Sequence, residues 1–466
     1  MAIKRYTANA DNTITNAFEA NLQTRGTGSN MGESDILETF TIYGQASSSS
    51  LEQSRILINF PVSEISADRA SGEIPASGSV SFYLRVHNAP HGQTLPKDYN
   101  LTVLPVSRSW TEGYGLDMES YSDSGTSNWM SASVGQGWDT QGGDYHTTPA
   151  YSQYIATGTE DIEVDISELV EQWIAGSKSV DGVGIEISSS YVSLPRSFYT
   201  KKFFARGSEY MYLRPKIEAR WNSTIKDRRN SFYASSSLVP AADNLNTLYI
   251  YNKVRGQLQD IPAIGTGEMS MSLYYGESTG PVGAVLSTDT AGWVSTGIYS
   301  ASVAIDTTSS YLYDVWHNGA GTQYVTGSQI SVRSFLTNTA ADTGEYVSNI
   351  TNLKQKYTTS EKARMRMFVR DKDWNPTIYT VATTNIETKV IEDAYFKVFR
   401  VADDFEVIPY GTGSLNYTRM SYDKDGNYFD VDMSLFEEGY SYGIKVAYKS
   451  NSNFNEQPEL FKFRVE

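Results

Sequence analysis

A long loop predicted at residues 113–156 is rich in acidic and aromatic residues, and it carries most of the side chains that could do chemistry in this sequence. Carboxylates are plentiful in and beside residues 113–156, for example Glu112, Asp117, Glu119, Asp139 and Asp144. Two carboxylates that face each other across a sugar can hydrolyse a glycosidic bond. Because any acidic β-protein offers such pairs, the sequence favours solvated acidic loops over an active site.

Aromatic side chains of the same segment are of the kind that bind sugars or partner proteins. The candidate glycan or partner contacts are Trp129, Trp138, Tyr145, Tyr151 and Tyr154. A glycan-binding role predicts exposed tryptophan rings in residues 113–156. The alternative is that the rings pack against their own loop, which is the commoner arrangement for large aromatic side chains.

Other kinds of catalytic and metal site have little support in the sequence. The chain contains no cysteine and four histidines, no Gly-x-Ser-x-Gly turn lies between a predicted strand and a predicted helix, and neither a phosphate loop nor a dinucleotide fingerprint is present. Oxygen ligands alternate along residues 423–427 and 371–373, but neither run has the spacing of a calcium-binding EF-hand loop. A tight β-turn explains residues 423–427 better. We therefore expect no enzyme activity, no cofactor and no metal.

Composition and charge narrow the class of protein. Of 466 residues, 39% are hydrophobic and 13% aromatic, including 33 Tyr, which is typical of β-rich domains with real cores. A formal net charge of −16 disfavours nucleic-acid binding, since phosphate contact needs a basic surface. The basic cluster at residues 226–229 is interpreted as a solvated linker. The sequence has neither a membrane-length apolar run nor an apolar signal core, so we expect synthesis in a cytoplasm and release by lysis.

Strands of alternating hydrophobicity must position the acidic and aromatic segment. Residues 54–61 place Ile56, Ile58 and Phe60 on one face of a strand. Residues 65–78 are predicted to form a connecting loop. Further strands are predicted at residues 80–86, 101–106, 183–187 and 214–221.

One amphipathic helix is predicted over residues 165–175. Asp165 is a suitable N-cap, and Glu168 completes a capping-box pattern three residues later. Gly176 ends the helix. The apolar residues that follow the spacing of one buried helical face are Ile166, Leu169, Val170, Trp173 and Ile174.

Together these segments resemble the DNRLRE domain, a β-sandwich module of surface and virion proteins. The pieces that match over residues 5–222 are Ala10-Asp11, Arg55-Ile-Leu-Ile-Asn-Phe, Trp110-Thr-Glu, Asp165-Ile-Ser-Glu-Leu-Val-Glu-Gln-Trp-Ile-Ala-Gly, Val183-Gly-Ile-Glu-Ile and Arg214-Pro-Lys-Ile-Glu-Ala. Residues 203–209 depart from the closing Ser-Arg/Asn-Glu run of the family. The resemblance implies a sandwich fold and no catalytic residues.

Evenly spaced short strands after a polar stretch at residues 223–231 predict two further domains. The strand count in residues 223–338 suits an immunoglobulin-like sandwich. In residues 339–466, the segment 363–370 alternates strictly, and a turn at 423–427 is predicted to join a hairpin. The predicted fold class is all-β, with tandem β-sandwich domains at residues 1–222, 223–338 and 339–466, the first DNRLRE-like with one helix and the others immunoglobulin-like.

The C-terminal domain resembles structural proteins of cyanophage-type contractile-tailed phages. The residues that carry this resemblance are Lys362-Ala-Arg-Met-Arg-Met-Phe-Val-Arg-Asp, Ala394-Tyr-Phe-Lys-Val, Gly426-Asn-Tyr-Phe-Asp-Val and Glu437-Glu-Gly-Tyr-Ser-Tyr. The resemblance implies a non-enzymatic structural protein of a tailed-phage virion, which forms subunit interfaces in the tail, neck or baseplate.

The expected partners follow from that role. They are other virion structural proteins and further copies of the chain, for example in a trimer, because slender domains need contacts that cover aromatic surface. We expect no nucleic-acid or membrane partner, and a virion location after assembly in the host cytoplasm. The alternatives are a glycan- or receptor-binding adhesin on the virion, for which a host surface glycan is the partner, and a capsid decoration protein. A polysaccharide-degrading enzyme ranks well behind.

Overall fold

The chain folds into two compact units, Ala2–Asn222 and Ser223–Glu466. The structure is a computed structural model that describes residues 2–92, 94–122, 125–192, 197–277, 280–335, 345–374, 388–450 and 453–466. Nearly all regular structure is β-strand, which confirms the predicted all-β class of tandem β-sandwiches. In the part of the chain described, no helix is long and apolar enough to span a membrane. The predicted division of residues 223–466 stays a prediction, because its boundary at 338/339 lies outside the described residues.

The first unit is built from short strands and two α-helices. Its strands are β1 (Ile3–Thr7), β2 (Ala10–Thr15), β3 (Ser29–Asn30), β4 (Ile36–Tyr43), β5 (Leu51–Asn59), β6 (Ser81–Val86), β7 (Tyr99–Pro105), β8 (Asp117–Ser122), β9 (Ser131–Ser133), β10 (Gln136–Gly137), β11 (Tyr151–Ile155), β12 (Ile162–Asp165), β13 (Val183–Ile187), β14 (Phe198–Phe204) and β15 (Lys216–Arg220). The helices are α1 (Val62–Ser71) and α2 (Ser167–Ile174), with 3-10 turns at Ser189–Tyr191 and Met211–Leu213.

Two main sheets make up this unit. The smaller sheet has the strand order β1-β15-β6-β12. The larger sheet has the order β11-β7-β13-β5-β2-β3-β8, and β4 pairs with both β5 and β14. In β6, Phe82, Leu84 and Val86 are all fully buried, as their alternation predicts. The hydrophobic period of two residues therefore places the core between the sheets.

Strand β5 is buried on both of its faces. Its alternation predicts one apolar face, yet Ile56, Leu57 and Ile58 are each 0% exposed. Ile58 and Ile56 lie opposite Val183 and Ile185 of β13 in the strand register. Leu57 points to the other face, where it belongs to a separate small core. Something other than the smaller sheet must therefore cover that face.

Helix α1 occupies the first part of the stretch predicted to be a connecting loop, so that prediction is wrong for residues 65–71. The helix buries only Val62 and Ile65, which is too sparse a pattern to give a clear helical period. Arg69 near its end donates two hydrogen bonds to Glu171 of α2, at 2.5 and 2.7 Å. This ion pair joins the two helices.

Helix α2 begins later than the sequence predicts. Its N-cap position is Ile166, which makes no side-chain cap hydrogen bond, so the predicted capping box of Asp165 and Glu168 is wrong. Asp165 instead accepts hydrogen bonds from the amide and hydroxyl of Ser167, at 2.9 and 2.5 Å. The predicted buried face is present, and Gly176 follows the helix with a φ of 68°.

Residues 113–156, predicted to be one long loop, contain four of the strands. Strand β8 pairs with β3, and β11 pairs with β7, so both ends of the segment join the larger sheet. Strands β9 and β10 pair only with each other among the strands described. We call residues 113–156 the acidic segment from here on.

The second unit contains the remaining strands. They are β16 (Phe232–Tyr233), β17 (Asn246–Tyr251), β18 (Lys253–Val254), β19 (Gln257–Leu258), β20 (Met269–Glu277), β21 (Gly280–Ser295), β22 (Ile298–Val303), β23 (Tyr311–His317), β24 (Gln323–Thr326), β25 (Ile330–Arg333), β26 (Tyr346–Ile350), β27 (Lys356–Tyr357), β28 (Lys362–Asp371), β29 (Ala394–Arg400), β30 (Glu406–Ile408), β31 (Ser421–Asp423), β32 (Gly426–Asp432), β33 (Ser441–Ser450), β34 (Asn453–Glu456) and β35 (Phe461–Val465). Short 3-10 turns lie at Arg228–Asn230, Ala241–Asn244 and Met433–Leu435.

Three larger sheets organise the second unit. The first has the order β16-β25-β23-β20-β21-β22-β17, with β24 beside β23. The others run β26-β28-β32-β31 and β27-β35-β33-β29-β30, with β34 beside β33. The predicted alternation of residues 363–370 is confirmed, since Met365, Met367 and Val369 of β28 are buried. The predicted hairpin turn at 423–427 is confirmed where β31 pairs with β32.

The polar stretch at residues 223–231 is part of the folded second unit, so its interpretation as a solvated linker is wrong. Asp227 and Arg229 are 3% and 7% exposed. Arg229 donates hydrogen bonds to the Asp314 carboxylate and to the Tyr249 carbonyl. The Asp227 amide donates to the Tyr422 carbonyl at 3.0 Å. Burial raises the pKa of Asp227 to about 7.

Candidate functional site

A small hydrophobic core attaches the acidic segment to the face of β5 that carries Leu57. Its buried members are Ile14, Leu57, Val106, Trp129, Ala132 and Trp138, with Trp110 and Tyr145 packed against them. The first three come from the larger sheet or the end of one of its strands, and most of the others come from the acidic segment. The segment therefore covers the second face of β5.

Both tryptophans that are candidate sugar contacts lie inside this small core. Trp129 is 4% exposed and Trp138 is 7% exposed. The Trp138 Nε1 donates to the Asn128 carbonyl at 2.8 Å. The guanidinium of Arg55 lies 5.4 Å from the Trp129 ring centroid and donates to the Gly142 carbonyl at 3.0 Å. These rings brace the segment, which is the alternative that the sequence left open, and they present no open face to a sugar.

Tyr145 is fixed from several directions. Its hydroxyl donates to the Gly142 carbonyl at 2.9 Å, and Arg55 lies 5.5 Å from its ring centroid. The ring lies directly against Gly184 of β13, where an added Cβ would come within 2.1 Å of a ring carbon. Burial raises the pKa of Tyr145. The glycine in the Val183-Gly-Ile motif is therefore explained by the close approach of this ring.

The two remaining candidates lie on β11. The Tyr151 hydroxyl accepts a hydrogen bond from the Leu169 amide at 3.2 Å, and burial raises its pKa to about 12. Tyr154 is 51% exposed, and its hydroxyl donates to Asp98 Oδ1 at 2.7 Å. Among the five candidates, Tyr154 has the most exposed ring. Contact with a glycan or a partner stays a prediction for all five.

Two carboxylates of the acidic segment fold it back on itself through one arginine. Arg108 lies 2.7 Å from Asp139 Oδ2 and 2.9 Å from Asp144 Oδ2. Asp144 also accepts hydrogen bonds from the amides of Asp139 and Thr140, at 3.0 and 2.8 Å. The side chain of the candidate Glu119 lies outside the described residues, and Asp117 is exposed. The bonds of Asp139 and Asp144 are those of a braced turn.

A polar cluster that the sequence did not single out as a site anchors the start of the segment. Glu112 accepts from the Asp11 amide at 2.7 Å and lies 2.8 Å from Arg206 Nη2. The Arg206 amide donates to Asp11 Oδ2 at 2.5 Å. Burial raises the pKa of Asp11 to about 7. The segments that carry Asp11, Glu112 and Arg206 were all compared with the DNRLRE pattern, and they meet here. Their spacing in the sequence does not predict this contact.

The oxygen ligands at residues 423–427 are already used within the second unit. Arg366 donates to both carboxylate oxygens of Asp423, at 2.5 and 2.7 Å. Asn427 is buried and bonds to both the amide and the carbonyl of Ile391, each at 2.8 Å. Across the described ranges, no group of three or more His, Asp or Glu is placed to hold a metal ion. The arrangement is that of the predicted β-turn.

A different surface, the hairpin formed by β20 and β21, exposes apolar side chains on both of its faces. Tyr275 and Val282 lie opposite each other in the register and therefore share a face, where they are 43% and 38% exposed. Val285 lies opposite Tyr274 on the other face and is 46% exposed. No strand was predicted at β21, because its Gly, Ser and Thr residues do not alternate with apolar ones.

The outer edge of this hairpin is open and nearly uncharged. Residues 280–291 of β21 pair with β20 alone among the strands described, and β22 begins to pair with β21 at Gly292. Asp289 is the one charged residue in β21. Proteins usually protect an exposed edge with charge, because its free N–H and C=O groups can pair with another chain.

No family model and no curated protein matches this sequence. Among solved structures, the Yersinia pseudotuberculosis adhesin InvE is 11% identical with a TM-score of 0.16, and the match covers 50% of this chain and 56% of that one. The chain thus spans about half the length of that structure. The FN1–FN3 domains of chicken CNTN1 are 8% identical with a TM-score of 0.15, over 60% of this chain and 87% of that one. Similarity this low carries no conclusion about function.

Proposed function

We propose that this chain is a non-enzymatic structural protein of a tailed-phage virion, where it forms subunit interfaces in the tail, neck or baseplate. The resemblance of its C-terminal domain to structural proteins of contractile-tailed phages gives the location. Tandem β-sandwiches are suited to such a role because they present several strand edges and loops to neighbouring subunits.

The β20–β21 hairpin is the observation that carries this proposal. Tyr275, Val282 and Val285 are exposed on its two faces, and its outer edge is open. Beyond Tyr275, β20 pairs with β21 alone among the strands described, and such a two-stranded ribbon is at best marginally stable in water. An exposed, uncharged edge also risks uncontrolled pairing with other chains. Both problems are solved when a neighbouring subunit covers the hairpin.

A second copy of this chain is the partner that we propose for the hairpin. The chain carries a net charge of −16, so two copies repel each other over most of their surface. Strand β21 has one charge, at Asp289, and therefore offers a strip where two copies can meet with little repulsion. Pairing of the two open edges would extend the sheet across both subunits.

Size-exclusion chromatography with light scattering tests the proposal on the purified chain. The expected result is a stable oligomer whose mass does not fall on dilution through the micromolar range, together with no signal on a glycan array. A monomer at every concentration, with binding to a defined sugar, would contradict the structural role.

A glycan-binding adhesin is the second candidate, and the exposed Tyr154 favours it. Its ring is half exposed and its hydroxyl is held by Asp98, a pairing that can present an aromatic face and an acidic oxygen to a sugar. Replacement of Tyr154 by Ala should then abolish binding to any glycan found on an array. A capsid decoration protein is the remaining alternative, and it would occur in hundreds of copies on each particle.

A further inference from the structure

A fully buried lysine in the first unit lies against the side chain of an asparagine. Lys201 of β14 is 1% exposed, and its Nζ donates to Asn88 Oδ1 at 2.6 Å and to the Gly158 carbonyl at 2.8 Å. The ring centroid of Phe203 is 5.3 Å from the same nitrogen. Lysine is almost never buried to this extent without a charged partner. In the described structure, the two hydrogen-bond acceptors of this nitrogen are neutral carbonyl oxygens.

Burial gives this lysine the properties of a nucleophile. It lowers the pKa of Lys201 to about 8, although the carboxylates of Glu160 and Asp161 act in the opposite direction. Roughly a tenth of the side chain is therefore the neutral amine at pH 7. A desolvated neutral lysine can attack a carbonyl carbon, which an ammonium group cannot do.

Neighbouring backbone and side chains hold the asparagine in place. The backbone N–H of Asn88 donates to Asp161 Oδ1 at 2.8 Å. The other carboxylate oxygen, Asp161 Oδ2, lies 2.8 Å from His87 Nδ1. The next residue, Ala89, donates its amide to the Lys202 carbonyl at 3.0 Å. The chain around Asn88 thus runs beside β14. Fixed proximity of this kind greatly raises the rate of reactions between neighbouring groups.

We propose that Lys201 and Asn88 form an intramolecular isopeptide bond. The Nζ lone pair attacks Asn88 Cγ, a C–N bond forms, and the bond from Cγ to Nδ2 breaks. Nδ2 leaves as ammonia with the proton that Nζ gives up. The reaction changes no oxidation state and needs no second reactant.

The bond would join the two sheets of the first unit covalently. Lys201 lies on β14, which pairs with β4 of the larger sheet, and Asn88 follows β6 of the smaller sheet. The two residues are 113 positions apart in the chain. A crosslink that closes a long loop restricts the unfolded chain and so stabilises the fold. The chain contains no cysteine, so a disulfide cannot serve this purpose.

Mass spectrometry of the full-length, purified chain tests the proposal directly. The expected intact mass is one ammonia below the value calculated from the sequence. A protease digest should then yield one branched peptide that contains both Lys201 and Asn88. An unchanged intact mass would overturn the proposal. So would a reduced mass with the two residues in separate linear peptides, since ammonia would then have been lost elsewhere.

Two substitutions and a matched control complete the test. Lys201→Arg and Asn88→Ala should each restore the calculated mass and lower the thermal midpoint of the first unit. Lys202→Arg, at the neighbouring and more exposed position, should keep the loss of ammonia and the branched peptide. If Lys201→Arg still showed the same loss of ammonia, another residue would be the nucleophile and the proposal would be wrong. The measurement on the unmodified chain decides the question even if a variant does not fold.

Discussion

The acidic segment of the first unit and the β20–β21 hairpin of the second both extend from a sheet, and they differ in how much of their structure is covered by their own unit. The acidic segment buries Trp129 and Trp138 against β5 and pairs Asp139 and Asp144 with Arg108. The hairpin leaves Val282 and Val285 exposed and carries almost no charge. The first extension buries its tryptophans within its own unit but leaves Tyr114, Leu116 and Val134 exposed. The second leaves an open, nearly uncharged strand edge for another molecule.

This difference reverses the expectation from composition alone. The acidic segment has the aromatic and acidic residues that are typical of a binding surface, but most of them hold the segment in place. The hairpin strand β21 consists largely of small and polar residues, and its sequence predicts neither a strand nor a binding surface. Because the acidic segment also exposes apolar side chains, the open and nearly uncharged edge of β21 is the feature that points to the interface.

The largest effect on stability should come from the tryptophan at the centre of the acidic segment. Trp129→Ala removes a buried ring and leaves a cavity, which should lower the free energy of unfolding of the first unit by about 3–5 kcal/mol. Urea denaturation followed by circular dichroism measures this. Tyr154→Ala, on the exposed side of β11, is the control and should change stability by less than about 0.5 kcal/mol. Equal effects of the two changes would mean that the segment is not braced by its core.

A smaller loss should follow when the polar cluster at the start of the segment loses a charge. Glu112→Gln keeps the shape of the side chain but removes the anion beside Arg206, so stability should fall by about 1–2 kcal/mol, since the pair is partly exposed. The exposed Glu168→Gln is a matched control and should stay within about 0.5 kcal/mol of the original chain. If both variants unfolded at the same urea concentration, the cluster would not anchor the segment.

The same cluster should give the first unit a pH-dependent stability. Burial raises the pKa of Asp11 from 3.8 to about 7, so the folded state holds this proton more tightly than the unfolded state does. The resulting stability is present at low pH and is lost as the pH rises from about 4 to about 7. Asparagine cannot titrate. The thermal midpoint of Asp11→Asn, minus that of the original chain, should therefore be higher at about pH 8 than at about pH 5. A constant difference between the two proteins would contradict this assignment.

The smallest effect on stability is expected in the hairpin. Val285→Lys places a charge on a side chain that is already 46% exposed, so the free energy of unfolding should change by less than about 0.5 kcal/mol. Chemical denaturation of the monomeric variant measures it. A loss as large as that of Trp129→Ala would show that Val285 packs within its own unit, and the contrast between the two extensions would disappear.

The strands with regular alternation could be predicted from the sequence because alternation reports directly which side chains face a core. Strand β6 and the buried methionines of β28 are examples. Helix α1 and strand β21 could not be predicted, since one buries only two residues and the other is mostly exposed. Their positions depend on the rest of the fold rather than on a local pattern.

The candidate site was harder to predict than the fold because its contacts join distant parts of the chain. The Trp129 ring is buried only because the face of β5 that carries Leu57 is free to receive it. The second unit gives a similar example, since Arg229 is buried through its bond to Asp314, which is 85 positions away. A single sequence identifies the residue types in such contacts but does not show which residues meet.

The oligomeric state of hairpin variants tests the central claim most directly. Light scattering after size exclusion should show an oligomer for the original chain and a monomer for Val285→Lys at the same concentration. Leu238→Lys adds the same charge at another exposed apolar residue of the second unit, 61% exposed, and should remain oligomeric. If Val285→Lys assembled as the original chain does, the hairpin would not be the contact between copies. If both lysine variants became monomeric, charge alone would explain the result, and the proposed interface would be wrong.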